Sequence, residues 1–296
     1  MSALSGSAPG GHNERVTVSS DPGPIALLLV ALALYARATH VLRRRGRRVP
    51  VAQRAAWYLG VLLLAAALVG PLDPLASRLL SAHMAQHVLI ADVAAPLMLV
   101  GIRTPVLLFL LPRPALVTVA RRRWLRRTFE TLSRPLVAVP VYIATLYAWH
   151  LGFLFEGALR SDPLHALQHA SFMATSALVW WAPLEPQRAR VAGELWKAGH
   201  VLAARLGGMM LGMAFLAMRA PAYGGFYGDA ARAYGLTPLT DQQIGGALMM
   251  VTDLVVMLAA LAFFFWRAAA RSDELADAVH DAAGEPAHPG RTLVPR

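Results

Sequence analysis

The sequence has no cysteine among its 296 residues, so disulfide bonds, thiolate metal sites and iron–sulfur clusters are all excluded. Any metal site in this chain must therefore use histidine, methionine, carboxylate or backbone ligands. Charged residues are also scarce, at 15% of the chain, whereas a soluble globular protein is about a quarter charged. This shortage excludes a disordered chain, a coiled coil and an ordinary cytosolic enzyme.

The chain is instead rich in apolar residues, which make up 56% of it and give a mean hydropathy of +0.47. It shows none of the alternating ten-residue segments that are typical of an outer-membrane barrel. The composition therefore predicts an all-α, polytopic membrane protein. Seven apolar runs are long enough to form a bundle of transmembrane helices, and they cover residues 24–42, 54–72, 79–101, 136–155, 164–183, 199–219 and 241–267.

These runs define the expected organisation, which is an N-terminal tail (1–23), a seven-span membrane domain (24–271) and a C-terminal tail (272–296). A further apolar stretch over 105–120 is interrupted by Pro105, Pro112 and Pro114. The prolines predict an interfacial or re-entrant segment there, not an eighth span. Residues 293–296 read Leu-Val-Pro-Arg, which is what thrombin leaves behind at an engineered site, and we interpret them as such a scar.

The distribution of positive charge predicts the orientation of the helices. A net charge of +11 would indicate nucleic-acid binding in a soluble protein, but in a membrane protein Lys and Arg collect in cytoplasmic loops. Here Arg is concentrated after the first, third, fifth and seventh runs, for example within 43–48 and 121–127. We therefore expect the N-terminus outside and the C-terminus in the cytoplasm. The basic clusters are interpreted as topology determinants that contact anionic lipids, and no nucleic-acid partner is expected.

This topology places five of the ten histidines at the outer ends of predicted spans, at one membrane depth: His83, His87, His150, His165 and His169. Residues 83–87 and 165–169 share the pattern His-x-x-Gln-His. Residues four apart lie on one face of a helix, about 6 Å apart along its axis, so each pair can ligate one metal ion or two adjacent ions. With His150, the two helices offer up to five nitrogen ligands.

A metal site competes with a simpler interpretation, because one histidine in a membrane helix often only hydrogen-bonds a neighbouring helix. Two pairs and a fifth histidine favour the metal site, since polar groups in lipid are costly and usually functional. Imidazole suits copper, and zinc is the alternative. Met84 is a candidate thioether ligand that would favour copper(I). Gln86 and Gln168 either orient the ligating histidines or bridge helices.

Four other polar residues are candidates for a function within or beside the membrane. Asp241 opens the last span, where it caps that helix, supplies a carboxylate ligand or hydrogen-bonds a ligating histidine. Asp92 and Asp253 are acids inside predicted spans, and Arg205 is a candidate ion-pair partner for either. Structural pairing and a proton path are both open for these three charged residues.

Several segments together resemble the CtaG family of multi-span bacterial cytochrome c oxidase assembly factors, named with the caa-type oxidases. The matching residues are 83–87, 95–97 and Gly101; 149–151; 165–169, Phe172 and 180–184; and 238–239, 241–246 and Met249. The resemblance covers about 73–267, while the first two spans match mainly in hydropathy. One departure is Met250, where many relatives are expected to have Trp.

The resemblance implies a seven-span protein of the bacterial plasma membrane that is needed to mature a haem–copper oxidase, at a copper-handling step. The expected partners are one or more cytochrome c oxidase subunits and a soluble copper chaperone on the outer side. No catalytic residue is expected on this interpretation. Two alternatives stay open: a seven-span zinc hydrolase with Asp92 or Asp241 as the base, and a haem-handling or structural scaffold.

Overall fold

The computed structural model describes residues 22–184 and 193–284, which are helical without any strand. Residues 293–296, interpreted above as a thrombin-site scar, and most of the predicted N-terminal tail lie outside the described residues. The helices are α1 (Pro22–Arg44), α2 (Val51–Leu68), α3 (Leu72–Ala76), α4 (Leu80–Val88), α5 (Ala95–Gly101), α6 (Leu107–Leu110), α7 (Arg113–Arg121), α8 (Arg123–Leu132), α9 (Pro135–Trp149), α10 (Gly152–Leu159), α11 (Asp162–Leu184), α12 (Glu194–Ala217), α13 (Gly224–Ala233) and α14 (Pro238–Gly284).

Glycine in the left-handed conformation ends two of these helices. Gly46 has a φ of 73°, and the next amide, that of Arg47, donates to the carbonyl of Leu42 at 3.0 Å. Gly235 has a φ of 74°, and the amide of Leu236 donates in the same way to the carbonyl of Ala231. This arrangement satisfies carbonyls at the helix C-terminus and needs a residue without a Cβ at the turn.

The third predicted span is continuous but contains a π-helical turn, Leu89–Ala94, between α4 and α5. The amide of Ala95 bonds to the carbonyl of Ile90, five residues back in the chain. Pro96 follows at once, and a proline inside a helix has no N–H and clashes with the carbonyl four residues earlier. The wider turn relieves that clash and carries Asp92 into the interior, where it is buried.

Five helical stretches in the described residues are long and apolar enough to cross a membrane: Pro22–Arg44, Val51–Leu68, Leu80–Gly101, Leu195–Ala217 and Pro238–Ser272. The count rises to six if α9 and α10, which meet at a bend of 71°, form one span. Helix α11 has 23 residues but is too polar to be counted, because it contains the second His-x-x-Gln-His segment. The protein is therefore an all-helical membrane protein, and the seven-span count and its orientation stay predictions.

The interrupted stretch over 105–120 forms two short helices, α6 and α7, of four and nine residues, which are too short to cross a bilayer, in agreement with the prediction of no eighth span. The expected boundary of the last span differs from the structure. Helix α14 runs on to Gly284, well past the predicted end of the last span at 267 and into the predicted C-terminal tail. The helix therefore continues beyond the apolar run into a polar stretch of the sequence.

Small residues let the last two long helices pack closely. A Cβ added to Gly212 of α12 would lie 2.7 Å from the carbonyl oxygen of Gly246 in α14. The converse contact, from a Cβ on Gly246 to the carbonyl oxygen of Gly212, has the same length. Close backbone approach of this kind is typical of helix pairs in membranes. Helix α14 also packs against α4, where a Cβ added to Gly245 would lie 3.1 Å from Cγ of Met84.

Candidate metal centre

Three helical segments bring the five predicted histidines together. Helix α4 carries His83 and His87, and α11 carries His165 and His169. His150 lies between α9 and α10, at the 71° bend. Because the chain turns at this point, the imidazole of His150 lies beside His87 of α4, with 6.3 Å between the ring centroids.

The four paired imidazoles form a quadrilateral. Ring centroids are 4.2 Å apart within each pair, and across the two helices they are 5.2 Å apart for His83 and His165 and 5.3 Å for His87 and His169. The fifth ring, of His150, lies 6.3 Å from that of His87. The spacing of four residues on each helix produces the short sides, and helix packing produces the long ones.

Three of these residues offer nitrogen atoms that all lie within 4.8 Å of one another: His83, His87 and His165. We call them the three-imidazole group. Metal–imidazole bonds are about 2.0–2.1 Å long, so two nitrogens on one ion are at most about 4.2 Å apart. The largest separation that the group allows, 4.8 Å, is therefore about 0.6 Å longer than this limit. His169 and His150 lie beside this group.

Unpaired polar atoms set this cluster apart from ordinary packing. Six ring nitrogens, both in His83 and His87 and Nε2 in His165 and His169, are buried without a hydrogen-bond partner of ordinary geometry among the described residues. A buried polar atom without a partner costs about 1–3 kcal/mol. Neutral imidazoles with free lone pairs are the ligands that copper and zinc take, so the donor set fits such an ion.

Asp241 is buried, and its hydrogen bonds differ from the predicted cap of its own helix. Its carboxylate accepts hydrogen bonds from the amides of Leu80, at 2.7 Å, and Ser81, at 3.1 Å, and from the Ser81 hydroxyl. It therefore caps α4, the helix of the first histidine pair, from across the bundle. Its own helix, α14, is capped by Thr237, whose hydroxyl accepts from the amide of Thr240 at 3.1 Å.

The two glutamines of the repeated pattern differ in their contacts. Gln86 donates through Nε2 to the carbonyl of Ala67 at 2.8 Å and to Asp73 at 3.1 Å, so it ties α4 to α2 and α3. Gln168 is fully buried, and its side-chain amide has no hydrogen-bond partner among the described residues. No contact of either glutamine with a histidine nitrogen is found in the described part of the chain.

The buried charges form a separate cluster. Arg205 pairs through Nη1 with Asp92 and, at 2.9 Å, with Asp253, while its guanidinium lies 5.0 Å from the ring centre of Tyr142. Both acids are thus structurally paired with one cation. They share a small cavity of about 20 Å³ with His87. A second cavity, of about 710 Å³, is also lined by Asp92, but none of the five histidines lines it.

Aromatic residues complete the surroundings, and the sequence analysis did not identify them. Tyr223 donates from its hydroxyl to the carbonyl of His150 at 2.6 Å and stacks on Phe155 at 4.0 Å. Tyr227 donates to the carbonyl of Ala76 at 3.0 Å. Burial raises the pKa of both tyrosines, so they act as donors at neutral pH. Their only sequence signal is the aromatic spacing within 223–227, which has no distinctive pattern.

Fold and site together define a helical membrane protein with a buried imidazole cluster. The family model for the cytochrome c oxidase caa3 assembly factor (Caa3_CtaG) matches residues 33–271, and the chain belongs to this family. This confirms the resemblance inferred from the motifs.

Two curated relatives, both named as uncharacterized proteins, come from Mycobacterium bovis and Mycobacterium tuberculosis. Each is 27% identical to this chain over 270 residues, which is 84% of the chain and 40% of the relative. The chain thus spans about two fifths of the length of these relatives. No solved structure matches it.

Proposed function

We propose that this assembly factor binds copper at the histidine cluster and supports maturation of a copper centre in cytochrome c oxidase. The observation that carries the proposal is the three-imidazole group, whose ligand atoms converge within 4.8 Å inside a bundle of apolar helices. Copper is cargo on this account, and the chain is not a catalyst. The family supplies the oxidase partner in general terms.

Holding and releasing an ion requires more ligands than the ion uses at one time. His169 and His150 adjoin the three-imidazole group, with ring centroids 5.3 and 6.3 Å from His87. An incoming ligand can replace one imidazole while the others hold the ion. A cluster with spare neutral ligands therefore suits transfer better than permanent storage.

The proposed membrane topology supports delivery from the outer side. We propose seven spans in the bacterial plasma membrane, with α11 and the bent pair of α9 and α10 both crossing, and an external N-terminus. In the third span, which runs from α4 to α5, His83 lies near the start and Arg103 follows the end. The histidine cluster therefore lies at the end of the span opposite to the arginine-rich loop. The proposed partners on the outer side are an oxidase subunit and a soluble copper chaperone. On the cytoplasmic side, the arginine-rich loops are proposed to contact anionic lipids.

A zinc hydrolase is the second candidate, because three protein ligands and an open position are typical of catalytic zinc. Such an enzyme also needs a base near the metal-bound water. The two acids considered for this role are engaged elsewhere, Asp92 with Arg205 and Asp241 with the start of α4. These contacts favour the assembly factor over the hydrolase.

The proposal is tested by the metal content of the full chain purified in detergent and loaded with copper(I). We expect the double variant His83→Asn/His165→Asn to lose at least one tightly bound copper per chain. The control is His40→Gln, because His40 is exposed and hydrogen-bonds Arg44 at 2.8 Å. Full copper retention in the double variant would overturn the proposal, and zinc bound in preference to copper would favour the hydrolase.

A further inference from the structure

We propose that Nε2 of His150 and Sδ of Met84 form a second binding position, selective for a soft monovalent cation such as copper(I) or silver(I). We call it the nitrogen–sulfur pair. The inference rests on the proposed function, since it assigns a second position beside the three-imidazole group. Its basis is different, however, because it depends on the hydrogen bonding of one imidazole and not on the convergence of several.

The proton on His150 is assigned by its backbone contact. Nδ1 lies 2.7 Å from the carbonyl oxygen of Leu146, one helical turn earlier in α9. A carbonyl can only accept, so Nδ1 carries the hydrogen and donates it. A neutral imidazole has one N–H, and Nε2 is therefore left with a lone pair. Backbone bonds of this kind orient many metal-binding histidines.

That lone pair faces another acceptor. Nε2 of His150 lies 3.5 Å from Sδ of Met84, and a thioether has no hydrogen to donate. Two lone pairs that face each other with no hydrogen between them are both satisfied by a cation. Thioether sulfur is a soft ligand that selects copper(I), and imidazole also suits copper.

The distance between the two atoms is compatible with one shared ion. With a metal–nitrogen bond of about 2.0–2.1 Å and a metal–sulfur bond of about 2.3 Å, a separation of 3.5 Å gives an angle of roughly 105–110° at the metal. This angle leaves room for a third ligand. His87, whose ring centroid is 6.3 Å from that of His150, is the histidine we propose for this third position.

Both partners are held in place by neighbouring elements. Met84 is 1% exposed and packs beneath Gly245 of α14, where a Cβ would lie 3.1 Å from Cγ of Met84. The glycine thus makes room for the methionine between α4 and α14. The backbone of His150 is held at the bend by the hydroxyl of Tyr223, which donates to its carbonyl at 2.6 Å.

His87 links the two positions, because its ring lies 4.2 Å from that of His83 and 6.3 Å from that of His150. A copper(I) ion can move from the three-imidazole group by forming a bond to Sδ of Met84 as one metal–imidazole bond breaks. The ion stays monovalent and no electron is transferred. The released imidazole regains its neutral lone pair, so the step needs no proton or co-reactant.

The test is silver(I) stoichiometry and copper(I) X-ray absorption on the full chain in detergent, after dialysis against a competing chelator. We expect the unmodified chain to hold two equivalents of silver and to show a sulfur neighbour around copper. Met84→Leu, which conserves volume, is expected to hold one equivalent and to lose the sulfur signal. The matched control is Met249→Leu, since Met249 is also buried and lines the same small cavity.

The outcomes separate this proposal from the proposed function. The nitrogen–sulfur pair would be overturned if Met84→Leu still held two equivalents of silver or still showed a sulfur neighbour around copper. It would also be overturned if the unmodified chain held one equivalent of silver and showed only nitrogen neighbours around copper. In that last case the three-imidazole group survives. His83→Asn/His165→Asn is expected to keep the sulfur-bound equivalent alone. No tight binding in the unmodified chain would overturn both proposals.

Discussion

The histidine cluster and the Arg205 cluster are two buried polar regions that share one small cavity but handle their polar groups in opposite ways. Arg205 contacts both Asp92 and Asp253, so charges within the chain compensate one another, although its Nε and Nη2 lack partners among the described residues. In the histidine cluster six buried ring nitrogens have no partner among the described residues, and ligand atoms of three of the rings lie within 4.8 Å of one another. The first region stabilises the bundle, and the second is suited to an external cation.

The largest effect should come from removing the cation of the Arg205 cluster. Arg205→Met leaves two carboxylates without their buried partner, and breaking a buried ion pair costs about 3–5 kcal/mol. We expect a corresponding drop in the free energy of unfolding, measured by thermal or denaturant unfolding in detergent. The control is Arg160→Gln, because Arg160 pairs with Glu156 on an exposed surface. Equal effects of the two variants would contradict the structural role of Arg205.

Copper itself should produce the next largest effect. A ligand that binds only the folded state stabilises it by about 2.7 kcal/mol at a concentration one hundred times its dissociation constant. We expect copper(I) to raise the unfolding temperature of the unmodified chain. The same addition should raise the unfolding temperature of His83→Asn/His165→Asn by less, because that variant keeps only the nitrogen–sulfur pair. An unchanged copper-induced shift in the double variant would show that the ion binds elsewhere.

Replacing Asp241 should lower stability by a smaller amount, and it should also affect the metal site through α4. Asp241→Ala removes the acceptor for the amides of Leu80 and Ser81, and loss of such a cap costs about 0.5–2 kcal/mol. We expect weaker copper binding as well, because α4 carries two members of the three-imidazole group. Asp241→Asn keeps an acceptor oxygen and should restore part of both losses. Unchanged copper affinity in Asp241→Ala would show that the cap on α4 does not influence the metal site.

The smallest effect is expected for a histidine replaced in the metal-free protein. His87→Leu removes two ring nitrogens that have no partner in the described residues. The free energy of unfolding of this variant should therefore fall by less than about 1 kcal/mol, or increase. His200→Leu is the comparison, because Nε2 of His200 bonds the carbonyl of Val179 at 2.8 Å and that carbonyl would lose its partner. A strongly destabilising His87→Leu would mean that the cluster stabilises the fold without metal.

Local sequence patterns predicted much of this architecture. Apolar runs indicated the membrane helices, and spacing of four residues indicated that His83 and His87 share a helical face, as do His165 and His169. These features depend on contacts between near neighbours along one helix, which periodicity records. Arg205 was also considered as a partner for either acid, because unpaired charges inside a membrane are costly. Only the structure shows that Arg205 contacts both Asp92 and Asp253.

The remaining features depend on contacts between distant segments. Asp241 caps a helix about 160 residues earlier in the chain, and no local pattern shows which N-terminus an acid will reach. The contact between His150 and Met84 requires both the bend after α9 and the close approach at Gly245. Helix α11 matches the run predicted over 164–183, but it is not among the stretches apolar enough to be counted as a span in the structure, because the polar residues that build the site lower its hydropathy.

The most direct test of the central claim is a crystallographic anomalous difference map, collected at the copper absorption edge on the copper(I)-loaded full chain. We expect an anomalous peak among His83, His87 and His165, within bonding distance of their ring nitrogens. A peak confined to the Arg205 cluster, or tightly bound copper located only outside the five-histidine cluster, would contradict the claim.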